Sequence, residues 1–257
     1  MKSPLLALAI ASLAVPAVAA DLPYRKGPPA PYVPPPPIFT WTGLYVGVNA
    51  GGIFDESSRG AETNPGILAL APAVPTSYRA RDTGFLGGGQ IGYNWQMGSI
   101  VAGLEADFQG TSLSSTSTVV APSATGTFKK TLDWLGTARG RLGYTFTPQF
   151  LVYVTGGLAF GDTKLTHTLT DTTAGGVLFG GTTLSGTHST TQTGWTLGGG
   201  GEYAFANNWS VKVEYLYFDL GRRSVTAISA AAPGVVSTVR ENEKGSIIRA
   251  GLNYKFW

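Results

Sequence analysis

From Phe39 to Phe256 the chain alternates apolar and polar residues at period two in eight separate stretches. After residue 20 it never offers the ~20 consecutive apolar residues that a membrane-spanning helix requires. Successive side chains of a strand point to opposite faces, so each stretch presents two unlike surfaces. The last one is the sharpest. Ile248, Ala250, Leu252, Tyr254 and Phe256 fall on one face, and Ile247, Arg249, Gly251, Asn253, Lys255 and Trp257 on the other. A strand with an apolar face ending in aromatics and a second face carrying cations suits a wall between hydrocarbon and water.

The seven earlier stretches repeat the pattern. Thr42 to Gly51 sets Leu44, Val46, Val48 and Ala50 against Tyr45, Gly47 and Asn49. Gly84 to Gln96 follows, and then Ile100, Ala102, Leu104, Ala106 and Phe108 alternate with Glu105, Asp107 and Gln109. Thr131 to Phe146 places Leu132, Trp134, Ala138, Leu142, Tyr144 and Phe146 opposite Asp133, Thr137, Arg139, Arg141 and Thr145. Further stretches begin at Phe150, Gln192 and Trp209. The joints are alternately short and long. Met97-Gly98-Ser99, Thr147-Pro148-Gln149 and Asn207-Asn208 read as tight turns, whereas 54–83, 114–130, 165–191 and 221–243 read as long polar loops.

An even strand count, short turns at one end and long loops at the other predict an all-β, eight-stranded antiparallel transmembrane β-barrel of up-and-down topology. Trp95, Tyr144, Phe146, Phe150, Phe205, Trp209, Tyr254 and Phe256 gather at the short-turn end as an interfacial girdle. A soluble β-sandwich is the alternative. Aromatics at the strand ends and strands longer than the usual roughly 5–6 residues count against it.

Only 13% of residues are charged, and 36 glycines with abundant Ser and Thr carry the polarity, a balance that disfavours long helices. There is no cysteine for a disulfide or thiolate metal site, and the net charge of +3 comes without a cluster suited to nucleic acid. Lys129-Lys130 and Arg222-Arg223 are isolated pairs expected to be solvated. Residues 1–20 read as a secretory signal: Lys2, an apolar run to Val18, and Ala17-Val18-Ala19-Ala20 for cleavage after Ala19 or Ala20. Residues 21–38 are a Pro-rich periplasmic linker, a spacer or a tether to peptidoglycan, and 39–257 form the barrel.

Thr40-Trp-Thr-Gly-Leu-Tyr-Val-Gly-Val-Asn-Ala-Gly-Gly52 after a Pro-rich lead resembles the first strand of small alphaproteobacterial outer-membrane proteins of the RopB type, grouped with OmpA-like eight-stranded porin-family barrels. Trp134 to Tyr144, Val213 to Gly221 and Arg249 to Phe256 resemble their fourth, seventh and terminal strands. The resemblance implies a structural surface protein of the outer membrane, contributing to envelope integrity, with at most a narrow pore. Porin-type transport and haem binding are the alternatives it carries. It also implies outer-membrane lipid and lipopolysaccharide as surroundings. A terminal strand ending in an aromatic resembles the signal read by barrel-assembly machinery. In that register Ile248, Leu252, Tyr254 and Phe256 form the signal, with Trp257 one residue beyond it.

If the apolar face meets lipid, the other face fills a lumen just wide enough for side chains. The inward set is Glu105, Asp107, Asp133, Arg139, Arg141, Glu202, Lys212, Glu214, Arg249 and Lys255. Buried charge must be paired, so we expect Glu105 with Arg139 or Arg141, Lys212 with Glu202, and Glu214 with Arg249. A plug of salt bridges is the expected arrangement, and a charged constriction for small ions the alternative. Catalysis finds little support, an outer-membrane enzyme being a distant alternative: no Ser-His-Asp pattern has a setting, and acid pairs such as Glu105 with Asp107 read better as partners of arginine. His167 and His188, the only histidines, lie at the fringes of one loop as possible ligand contacts for a metal or haem iron. Gly87-Gly-Gly-Gln-Ile-Gly92 matches a dinucleotide fingerprint by letters alone, because a strand rather than a helix follows it. No metal or other cofactor is expected.

Overall fold

The computed structural model describes residues 39–56, 58–63, 77–79, 82–120, 124–172, 175, 183–228 and 236–256. Residues 1–20, expected as a secretory signal, the Pro-rich stretch 21–38 and Trp257 lie outside the described residues. Ten strands are present among these residues: β1 (Gly43–Asp55), β2 (Ser58–Thr63), β3 (Ser77–Arg79), β4 (Thr83–Met97), β5 (Ile100–Val120), β6 (Ala124–Thr147), β7 (Phe150–Asp171), β8 (Thr183–Ala204), β9 (Trp209–Ile228) and β10 (Val236–Lys255). All pairings are antiparallel. β1 pairs with β4 on one side and with β10 on the other, so eight strands close into a ring in the order β1-β4-β5-β6-β7-β8-β9-β10. Closure leaves no free edge at that level, which is the condition for a sheet in lipid. β2 and β3 are additional, β2 lying against the far part of β10.

The wall is apolar outside and polar within. Val48, Phe85, Leu104, Val154, Leu197 and Val213 are exposed on the outer surface, while Glu105, Arg139, Lys212 and Arg249 are buried. A continuous exposed apolar belt of this kind would aggregate in water and is the surface a bilayer covers. Its height can be counted along the strands. Phe85 and Trp95, Trp134 and Tyr144, Phe150 and Phe160, and Trp195 and Phe205 are each ten residues apart. At ~3.3 Å per residue and a tilt of ~40°, that spacing is roughly 25 Å along the membrane normal, the height of an outer-membrane apolar band. A second aromatic girdle therefore faces the first, with Phe108 stacked on Trp134 (5.3 Å) and Trp195 tilted on Tyr217 (5.5 Å).

Three local expectations are corrected. Much of what reads as long loop is strand: β5 and β6 pair out to Val120–Thr125, β7 and β8 to Thr170–Thr183, and β9 and β10 to Ile228–Val236. Water rather than lipid meets the outer face there, so Ser and Thr form sheet without the apolar alternation that would mark it. The 21 residues of β5 extend for roughly 70 Å, more than a bilayer needs even when tilted, so these hairpins stand clear of the membrane. The β8–β9 connection uses Phe205 to Asn208 rather than Asn207-Asn208 alone, because the Asn208 side-chain amide donates to the Lys255 carbonyl (2.7 Å) and ties the turn to β10. A β-bulge between Leu132 and Trp134 breaks the parity of β6. It sends Leu132 inward to join Leu135 and leaves Asp133 exposed on the outer face, so Asp133 is not a lumen residue.

Placing an arginine in the middle of the belt should be costly. Leu197→Arg is expected to destabilise the barrel by about 2–4 kcal/mol in chemical unfolding from lipid vesicles, whereas Ser114→Arg, on the projecting hairpin, should change little.

Candidate functional site in the barrel interior

The interior is built in layers. At the short-turn end Trp41, Val101, Leu151, Tyr153 and Ala204 form an apolar floor, with Phe39 packed against it. The segment before β1 folds under the barrel. The Trp41 indole donates to the Pro148 carbonyl (3.1 Å) across the mouth, and its backbone N–H donates to the Gln96 side chain (2.7 Å). Free space beside it is roughly 10 Å³, about one water.

Tyr153 of this floor and Tyr45 hold a guanidinium between them. Arg141 sits 5.7 Å from the Tyr45 ring and 4.3 Å from the Tyr153 ring. Tyr45 lies directly across from Gly92, and Tyr153 directly across from Gly200. A Cβ at Gly92 would meet the Tyr45 hydroxyl at 2.3 Å, and one at Gly200 would meet the Tyr153 hydroxyl at 2.9 Å. These glycines let each ring lie over the neighbouring strand and reach inward.

The ions occupy the middle. Arg139 donates to Glu105 (2.5 Å), Asp107 (2.9 Å) and Glu214 (2.9 Å). Arg249 reaches Glu214 (2.6 Å) and Asp107 (3.0 Å) from β10. Lys212 donates to both oxygens of Glu105 at 2.8 Å, and the Tyr45 hydroxyl donates to the same carboxylate at 2.6 Å. Arg141 takes Glu202 (2.7 Å), which also accepts from Ser210 (2.6 Å) and Asn253 (2.8 Å). Four carboxylates thus meet four cations in a region closed to solvent, as paired burial demands.

A second apolar layer caps the ions. Ile53, Leu86, Leu113, Leu132, Leu135, Ala159, Leu216, Phe218, Leu220 and Ile247 form one buried cluster. Beyond it Lys130 lies 3.4 Å from both Asp55 and Glu243, and Glu243 accepts from Thr163 and Gln192. His167 is then stacked on Phe128, with ring centroids 4.2 Å apart.

Of the sequence-derived residues, Glu105, Asp107, Arg139, Arg141, Glu202, Lys212, Glu214 and Arg249 come together. The expected pairing of Lys212 with Glu202 is corrected. The two are backbone partners, but Lys212 crosses the lumen to Glu105 and leaves Glu202 to Arg141. Lys255 is also corrected. It lies at the rim, half-buried, donating to the Thr40 carbonyl with its amine 4.5 Å from the Phe39 ring centroid, apart from the carboxylates. Lys130 is a buried ion rather than a solvated one. His167 and His188 are on strands, His167 buried and His188 exposed beside Thr190 (2.9 Å). Ile248, Leu252 and Phe256 line the outer surface, Phe256 edge-on to Tyr254 at 5.4 Å. Sequence reasoning missed Tyr45, Tyr153, Asn253 and the Lys130 layer. A tyrosine on the polar face opposite a glycine was the signal for the first two.

A closed barrel with an apolar belt, two aromatic girdles and an ion-filled core defines an outer-membrane protein. The chain belongs to the outer membrane protein beta-barrel domain family, whose profile matches residues 5–256. The 31 kDa outer-membrane immunogenic protein of Brucella melitensis is 40% identical over the full length of both chains. The 22 kDa outer membrane protein of Rhizobium leguminosarum bv. viciae is 34% identical over 54% of this chain and 52% of its own. The crystal structure of Neisserial surface protein A aligns with 84% of this chain and 98% of its own at 16% identity, with a TM-score of 0.35. The protein is thus an outer-membrane protein of the bacterial surface.

Glu105→Gln should destabilise the folded barrel by about 3–5 kcal/mol, because it strands Lys212 and Arg139 without their shared carboxylate. Adding Lys212→Met should recover part of that loss in the same unfolding measurement. A pH effect should appear in the projecting hairpins, outside the membrane. Burial pushes the His167 imidazole down to about 4 from the ordinary 6.5, so the packed state holds it neutral. Above pH 6.5 neither state binds the proton. As pH falls from 6.5 towards 4 only the unpacked state does, and the packing weakens. The protection of residues 124–130 and 163–169 against hydrogen exchange, taken relative to the intrinsic amide rate at each pH, should therefore fall between pH 7.5 and 5, and His167→Phe should flatten the change.

Proposed function

We propose that this protein is a sealed structural barrel that contributes to envelope integrity and displays its paired hairpins at the cell surface, without catalysis and without an open channel. The observation that carries this reading is Arg139, whose guanidinium is fully enclosed and holds Glu105, Asp107 and Glu214 at once, between two apolar layers. An ion path would have to break those contacts and both layers together. The surroundings we propose are outer-membrane lipid and lipopolysaccharide around the wall and assembly machinery at the terminal strand. Peptidoglycan would be reached through the Pro-rich segment. The Brucella relatives are named as immunogenic proteins, which supports reading the hairpins of this chain as exposed surface. Folding is verified by the heat-dependent gel mobility typical of intact barrels, and conductance is then recorded in planar bilayers. Wild-type protein is expected to give no single-channel steps; reproducible steps from the folded fraction would replace the sealed reading with a porin.

A further inference from the structure

Lys129 and Lys130 are neighbours in sequence but point to opposite sides of β6. Lys130 is committed to the interior, whereas Lys129 is exposed on the outer face. Lys164 on β7 is exposed on the same outer face. Lys129 lies across from Thr166, and Lys164 across from Thr131, so the two amines are diagonal neighbours, with backbones roughly 7–8 Å apart. Hydroxyls surround them. Thr187 and Ser189 on β8 pair with Thr166 and Lys164, and the Thr166 and Thr187 hydroxyls are 3.4 Å apart. One step nearer the membrane stand two carboxylates: Asp133, which the bulge turns outward, and Asp162, which accepts from the Ser189 hydroxyl at 3.4 Å. Among the described residues none of these four charges makes an ion pair.

The upper aromatic girdle fixes how high this cluster sits. Lys164 is four residues beyond Phe160, and Lys129 is five residues from Trp134, one of them absorbed by the bulge. Both backbones are therefore roughly 10 Å above the girdle at the usual tilt. The polar headgroup layer adds roughly 5–8 Å beyond the hydrocarbon on each side, and lysine stems can bend down into it. Two unpaired cations at that level repel one another unless an anion lies between them. The carboxylates beneath them would repel a free anion but accept hydrogen bonds from the hydroxyls of a sugar.

We propose that Lys129 and Lys164 grip a phosphate of an outer-leaflet glycolipid, while Asp133, Asp162 and the flanking Thr and Ser hydroxyls bind its sugar hydroxyls. The proposal deepens the lipopolysaccharide contact proposed above and does not depend on whether the interior conducts. Its test uses the full refolded chain, with binding to lipid A, enzymatically dephosphorylated lipid A and phosphatidylglycerol measured by native mass spectrometry from mixed micelles. Lipid A should bind best, and Lys129→Glu with Lys164→Glu should weaken it roughly 30-fold, at about tenfold per 1.4 kcal/mol. Asp133→Asn with Asp162→Asn should weaken lipid A while improving phosphatidylglycerol. Both pairs of changes lie outside the barrel core, and gel mobility verifies that each variant folds. Equal binding of lipid A by the charge-reversed and wild-type proteins would overturn the proposal, as would equal affinity for the dephosphorylated lipid. Lysine-dependent binding that treats phosphatidylglycerol and lipid A alike would reduce it to generic attraction and overturn the glycolipid assignment. Conductance is read separately, so a failure of either reading leaves the other standing.

Discussion

Charge neutrality inside a narrow lumen is the constraint on which the rest of this barrel depends. Eight strands leave room only for side chains, and this chain fills the room with ions. Such ions cost several kcal/mol each to desolvate, and hold only where partners and hydrogen bonds surround them. Glu105, Asp107, Glu202 and Glu214 balance Arg139, Arg141, Lys212 and Arg249, and the contacts run across the lumen as often as along the wall. Arg139 on β6 reaches β5 and β9, and Arg249 on β10 reaches β5 and β9. The network therefore ties together walls that are distant in the sheet, and fixes the circumference as well as filling it.

The same network guards the register. A one-residue slip of any strand would turn its inward face outward. For β5 that would move Glu105 and Asp107 into hydrocarbon, and for β10 it would move Arg249. An arginine at the bilayer midplane costs about 2–4 kcal/mol, so misregistered pairings are penalised from both sides of the wall at once. The stability a buried salt bridge adds is modest against an apolar substitute, but the discrimination it adds is large. Tyr45 and Tyr153 work in the same direction, since each ring fits only where a glycine stands opposite it.

How much of this was legible in the sequence follows from where the physics is local. The faces of β1, β5 and β10 could be read because alternation reports lipid on one side and the lumen on the other. The reading failed at Asp133, where one extra residue reverses the parity of β6 without any mark in composition. It failed again beyond the membrane, where the outer face meets water and Ser/Thr hairpins look like loops. Lumen residues could be named but not all paired. Cross-strand register suggests Lys212 with Glu202, yet a long side chain in a narrow tube reaches the opposite wall as easily as its neighbour. The second girdle was available by counting, because Phe85, Trp134, Phe160 and Trp195 stand ten residues from partners already recognised at the other end.

A barrel that commits its interior to neutrality has only its outside left for recognition, and the placement of the remaining charges follows from that. Inside, Lys130 between Asp55 and Glu243 is again a paired buried charge, one layer higher. Outside, among the described residues, Lys129, Lys164, Asp133 and Asp162 stand close together without forming ion pairs, just above the aromatic ring that marks the edge of hydrocarbon. Unpaired surface charge in bulk water needs no explanation, since screening and hydration make it nearly free. At the headgroup level the dielectric is lower and the neighbours are phosphates and sugars. An arrangement of cations above carboxylates then has a complement in the molecules that must surround it. The bulge at Asp133 links the two sides of the wall. By reversing the parity of β6 it places Leu132 beside Leu135 in the apolar layer that caps the ions, and in the same step turns Asp133 to the outer face.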